Sequence, residues 1–192
     1  YPEAFVNGTP FERMGVRDGD MDLVRADLDF LGINLYSRTL VRALPQDQNL
    51  GAMAVGNLGG NEGPRTDFGW EVWPNSLRDM ILRVTKDYGR LPIEITENGC
   101  SYADGPNEKG VVHDQRRIDF FRGYLGAVAE AIEKGADVRG YHAWTLLDNF
   151  EWAEGMAQRF GFVHVDFATQ QRTIKDSGRW YAQVAAENGF DR

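Results

Sequence analysis

The chain has 192 residues, 42% of them hydrophobic and 12% aromatic, which is enough apolar mass for one domain or a large part of one. Its formal charge of −8, with no basic stripe, excludes nucleic acid as an expected partner, because a phosphate backbone is bound by clustered Lys and Arg. The single cysteine, Cys100, allows no internal disulfide, and His113, His142 and His164 lack metal-ligand spacing; no apolar run is long enough to cross a bilayer and no charged-then-apolar leader opens the chain, so the expected compartment is the cytoplasm.

Residues 1–27 are polar and Gly-containing, with short helical hints. Residues 28–36 read as a buried strand ending in polar and aromatic groups. From Pro45 to Asp67 the many Gly, Asn and Pro residues predict a long loop. A helix is predicted from Pro74, with Asn75 or Ser76 as its cap, Leu77, Met80, Ile81, Val84 and Tyr88 on one face, and Gly89 at its end. A second strand covers 91–97 and leads into a Gly-rich loop at 99–110. An amphipathic helix spans about 115–134, with Ile118, Phe121, Leu125, Val128 and Ile132 on one side and Gly135 as its stop. A third strand covers 138–145. A final helix at 177–188 carries Trp180, Tyr181 and Val184 and is closed by Gly189.

Strand–helix alternation implies parallel strands with helices packed outside. The Gly-rich phosphate fingerprint of a nucleotide fold is missing, since the glycines of 56–63 follow no strand and open no helix. In the alternative, a barrel, chemistry collects on the loops after the strand C-termini. The unusual residues of this chain gather there: Asn34 and Tyr36 after the first strand; Thr96, Glu97 and Asn98 after the second; Trp144, Asp148, Asn149, Glu151 and Trp152 after the third. Carboxylates, amides, a phenol and indoles suit a sugar, whose hydroxyls need donors and acceptors and whose C–H face packs on aromatic rings.

By strand alternation Glu97 shares a face with Ile93 and Ile95, while Glu94 and Thr96 face the helix layer. A carboxylate at the end of an apolar strand is either ion-paired at a rim or solvated in a cleft, and the residue pattern leaves both open. Trp70, Trp73 and Trp180 read as packing residues, and Cys100 as a small buried one.

Several segments match one family in order. Ile95-Thr96-Glu97-Asn98-Gly99 resembles the I-T-E-N-G nucleophile motif of the family 1 glycosidases. The stretch from Trp144 to Trp152 resembles their W-S-L-x-D-N-F-E-W, Arg159-Phe160-Gly161 their R-F-G, and Lys175-Asp176-Ser177 with Trp180-Tyr181 their K-x-S-x-x-W-Y. Phe30 to Tyr36 resembles F-x-G-x-N-Y-Y, with Leu35 in place of the first tyrosine; Thr145 replaces a serine, and Met156 stands where an aromatic is common.

The resemblance implies a single partial domain over 1–192, an α/β fold consisting of the last three strand–helix units of a (β/α)8 TIM barrel, incomplete in this chain. It implies a retaining β-glycosidase with no cofactor and no metal, a β-glucosidase by expectation. Glu97 is implied as nucleophile, with Tyr36 orienting it. Asn34 would line the subsite, Trp144 floor the sugar, Glu151 accept two hydroxyls, Trp152 contact another, and Phe160 shape the wall. It also implies a cis peptide after Trp144. Relatives acting on 6-phosphorylated sugars usually lack the Glu-Trp pair present here, and a carboxylate beside a phosphate repels it, so an unphosphorylated sugar is expected.

The family's acid/base motif, T-F-N-E-P, and its upstream His-Trp pair and glutamine have no match in these 192 residues. A closed barrel takes roughly 250 residues and eight strands. The expected partners are therefore a β-glycoside or monosaccharide and a complementary N-terminal chain carrying the second carboxylate, with neither nucleic acid nor membrane. Alone, the chain is expected to be poorly stable or inactive. The alternative is a noncatalytic carbohydrate-binding or regulatory fragment.

Overall fold

The computed structural model describes residues 15–25, 27–43, 52–54 and 63–191. In chain order its main elements are α1 (Asp20–Val24), β1 (Leu31–Asn34), β2 (Val41–Ala43), β3 (Ala52–Ala54), α2 (Asn75–Tyr88), β4 (Ile93–Asn98), α3 (Gln115–Glu133), β5 (Val138–Ala143), β6 (Val163–Val165), β7 (Arg172–Ile174) and α4 (Asp176–Glu187). They fall into two compact units, residues 1–29 with 39–62, and residues 30–38 with 63–192. The first unit contains α1 and the antiparallel pair β2–β3. The stretch expected as a loop from Pro45 to Asp67 thus carries a strand, while 44–51 and 55–62 lie outside the described residues. No described helix is long and apolar enough to cross a membrane.

The second unit carries the site. Its main sheet runs β1-β4-β5, parallel throughout, with Ile33 opposite Ile95 and Ile95 opposite Tyr141. The two crossovers hold α2 and α3, the arrangement that parallel strands require. The core lies between this sheet and the helices: Ile33, Ile93 and Ile95 pack with Leu77 and Ile81 of α2, Phe121, Tyr124, Val128 and Ala131 of α3, and Phe162.

Two helix faces differ from expectation. On α2, Met80 and Tyr88 are 45% and 75% exposed. Only Leu77 and Ile81 of this helix are buried, which makes a narrower stripe than the one read from the sequence. Pro74 occupies the cap position with no side-chain cap, and Ser76 instead donates back to the Trp73 carbonyl at 2.7 Å. On α3 the buried stripe includes Arg117, Phe121, Tyr124, Val128 and Ala131, and Ile132 is exposed. The seam is rotated because Arg117 and Tyr124 bury long stems while their polar tips find partners inside. Asn188, not Gly189, takes the left-handed position that ends α4.

The antiparallel hairpin β6–β7 has no counterpart in the sequence reading. Its strands are three residues each, too short for alternation to register. Asp166 closes it, its Oδ1 accepting from the backbone N–H of Ala168 at 2.9 Å and Thr169 at 3.0 Å.

Candidate active site

The position of Glu97 rests on an irregularity in β4. Ile93 and Ile95 are fully buried against the helices. Were alternation to continue, Glu97 would follow them into that core, where an unpaired carboxylate is costly. Instead the register slips. Between Ile95 and Asn98, three steps on β4 match two on β5, from Tyr141 to Ala143. Against β1, two steps from Ile95 to Glu97 match the single step from Ile33 to Asn34. This bulge hands the buried position to Asn98, whose side chain donates to the Leu35 carbonyl at 2.6 Å and accepts from the Tyr141 hydroxyl. Glu97 is released to a half-buried site.

The same geometry reverses the expected facing of Glu94 and Thr96. Both lie on the sheet face opposite the helices. A Cβ on Gly32 would meet Thr96 at 3.1 Å and one on Gly140 would meet Glu94 at 3.2 Å. Thr96 donates to Asn34 Oδ1 at 2.6 Å, and Glu94 pairs with His142 at 3.2 Å. Alternation correctly pairs Glu94 with Thr96, but the isoleucines mark the helix side, and Glu97 leaves their face at the bulge.

Tyr36 follows β1 and its hydroxyl donates to Glu97 Oε2 at 2.7 Å. Burial first, then the hydrogen bond to Glu97 and the charges of Glu97 and Glu151, push its phenol well above the ordinary range. It therefore remains a donor at every working pH. The contribution from Glu151 puts that carboxylate within electrostatic reach of the same spot.

Trp144 is brought against the end of β4 by Gly99. The Trp144 N–H donates to the Asn98 carbonyl at 2.8 Å. A Cβ on Gly99 would lie 2.9 Å from the Trp144 carbonyl carbon, with its oxygen nearer still, so only glycine fits. The Trp144–Thr145 peptide is cis. Asp148 then anchors the segment that carries Glu151 and Trp152. Fully buried as a side chain, it meets Lys175 Nζ at 3.1 Å, the Gly161 N–H at 2.9 Å and Arg159 at 3.3 Å. Burial, and then the charge of Arg117, lowers Lys175 to about 8. Glu151 is half-buried, whereas Trp152, in a short 3-10 turn, is 79% exposed.

Phe160 is 4% exposed. It meets Tyr36 edge-on at 6.3 Å, so it shapes the site from behind rather than by facing it. Trp70, which the sequence marks as packing, stands 5.2 Å from the Tyr36 ring and 5.9 Å from Phe160, with Phe68 tilted against it at 4.4 Å. Its link to the site comes through a loop that bears no alternation, so no periodic signal marks it. Asn34, Tyr36, Glu97 and Phe160 thus converge on one region, and Trp144 and Glu151 arrive on the adjoining segment.

The geometry is matched by known proteins. The model of glycosyl hydrolase family 1 matches residues 4–190. The chain is 41% identical to β-glucosidase A of Thermotoga maritima over 172 residues, covering 90% of this chain and 37% of that protein. It is 40% identical to a 6-phospho-β-galactosidase of Staphylococcus epidermidis, over 82% of this chain and 37% of that one. The solved structure of the Thermotoga maritima β-glucosidase in complex with deoxynojirimycin superposes with a TM-score of 0.84 at 38% identity, over 93% of this chain and 40% of that one. The chain therefore spans about two fifths of the length of the relatives it matches.

Proposed function

Since this chain belongs to glycosyl hydrolase family 1, we propose that it is the nucleophile-bearing part of a retaining exo-β-glycosidase, a β-glucosidase acting on unphosphorylated β-glycosides. The observation that carries the proposal is the 2.7 Å hydrogen bond from Tyr36 to Glu97. It fixes one oxygen of the carboxylate, as a nucleophile aimed at an anomeric carbon requires. Glu97 attacks that carbon and the aglycone oxygen leaves with a proton from a second carboxylate about 5 Å away. Water, deprotonated by that second group, then releases the sugar. The second carboxylate comes from the barrel units that relatives carry ahead of this region, whether in one polypeptide or in a complementary chain. Trp144 floors the sugar ring, Asn34 lines the subsite, Glu151 accepts two hydroxyls, Trp152 contacts another, and Trp70 with Phe68 extends the aromatic wall.

Glu151 supports the unphosphorylated substrate even though a 6-phospho-β-galactosidase is among the relatives, because its charge would repel a phosphate. A noncatalytic sugar-binding role is the second reading, favoured by the aromatic cluster of Trp70, Phe68 and Phe160 beside Tyr36, which would pack a sugar ring without chemistry. A 2-deoxy-2-fluoro-β-glucoside separates the two. Covalent mass on the peptide bearing Glu97, in the assembled barrel, supports the glycosidase; sugar binding without covalent mass supports the binding role, and label on another residue sinks both.

A further inference from the structure

We infer that Arg117 is a positioning residue for the reaction proposed above, through a single guanidinium that ties the loop leaving the nucleophile to the segment supporting Tyr36. The inference rests on that reading of Glu97. Arg117 lies in the first turn of α3 and its side chain is wholly buried. Nη1 donates to the Phe160 carbonyl at 3.1 Å and to the Cys100 carbonyl. Nη2 donates to the carbonyls of Arg159 at 2.8 Å and Tyr102 at 3.3 Å.

These acceptors belong to two separate stretches of chain. Cys100 and Tyr102 follow Glu97 by three and five residues. Phe160 bears the ring that packs on Tyr36, and Tyr36 in turn donates to Glu97. A closed circuit results: Glu97 to Tyr36, Tyr36 to Phe160, Phe160 through Arg117 to Cys100, and back along the backbone to Glu97. Displacing any member moves the carboxylate relative to its own hydrogen-bond donor.

The charge is balanced by Asp114, which accepts from Arg117 Nε at 2.9 Å. Asp114 is itself held by Ser177, from the backbone N–H at 2.9 Å and the hydroxyl at 2.6 Å. A lysine keeps the charge but lacks the planar fork, and so cannot serve four carbonyls in two directions.

The test uses the complete barrel containing this chain and a 2,4-dinitrophenyl 2-deoxy-2-fluoro-β-glucoside, whose leaving group needs no proton. Labelling of Glu97 then reports the nucleophile alone. Arg117→Lys is expected to lower the inactivation rate constant on the order of 10- to 100-fold, the effect of a misplacement near 1 Å, while the apparent binding constant stays within about threefold. Leu77→Ala, in the core on α2, is the control: it lowers Tm and leaves the rate constant unchanged. Arg117→Lys labelled at the unaltered rate overturns the inference, as does a Leu77→Ala loss of equal size. If Arg117→Lys does not fold, Ser177→Ala replaces it, because it loosens Asp114 while sparing every bond that Arg117 makes. A fall of about threefold in its rate constant supports the inference, and no change overturns it. An unaltered protein that takes no label at Glu97 overturns the glycosidase reading and this inference together.

Discussion

Gly99→Ala probes the contact between the strand bearing the proposed nucleophile, Glu97, and the proposed sugar floor. The added Cβ would stand 2.9 Å from the Trp144 carbonyl carbon and 3.2 Å from its Cβ. Carbon atoms settle at about 3.5–4.0 Å, so the ends of β4 and β5 must separate by on the order of 1 Å. The hydrogen bond from the Trp144 N–H to the Asn98 carbonyl, at 2.8 Å, cannot survive that separation intact. Overpacking of this kind costs about 1–3 kcal/mol, or several degrees in Tm for a protein of this size. The larger effect falls on activity. Glu97 and Trp144 move apart by the amount that costs roughly a hundredfold in rate. Stopped-flow labelling of Glu97 and a thermal melt of the same preparation measure the two effects separately. A variant that melts lower but labels at the unaltered rate would show that the two strand ends do not position the reacting groups, and the argument from the Gly99 approach would fail.

Tyr36→Phe removes a bond to a charged acceptor worth about 1.5–3 kcal/mol; steady-state kinetics should show kcat/KM falling by at least about tenfold, and a loss under twofold counts against the orienting role. Asp148→Asn leaves Lys175 buried without its counter-charge, so chemical denaturation should show a loss of about 3–5 kcal/mol, and a loss below about 1 kcal/mol refutes the network. Lys175 supplies a pH dependence whose sign is fixed. Its folded value of about 8 lies below its ordinary 10.5, so between these values the unfolded chain binds the extra proton and stability rises with pH. From pH 8 to 10 the gain is about 2 kcal/mol, seen as the difference in slope between the unaltered protein and Lys175→Met; equal slopes refute it.

The strand–helix order, the three strands and the long helix α3 were legible because their periods are long enough to repeat. Glu97 was legible as a residue, from its motif, but its aim was not. The face it occupies depends on a slip in pairing with β1 and β5, and pairing is a property of neighbours that no single strand encodes. The two isoleucines told which residues share a face without telling which layer lies behind it, so Glu94 and Thr96 were assigned to the helices. Trp70 was hidden for a related reason, since its role arises from contact with Tyr36 across distant parts of the chain. Asp148 and Lys175 stood inside motif segments, yet their pairing at 3.1 Å over 27 positions follows from the hairpin β6–β7, whose short strands the sequence did not announce.

The clamps around Arg117 and Asp148 share a property that bears on how an enzyme of this kind is put together. Every bond they make to the segments holding Glu97, Tyr36, Trp144 and Glu151 comes from within these 192 residues. On the proposed glycosidase reading, the attacking side of the cleft would be prefabricated: strands docking against it would need only to deliver a proton donor to a surface already in shape. Assembly of such a barrel from two pieces would then be limited by how fast the pieces meet rather than by rearrangement of this one.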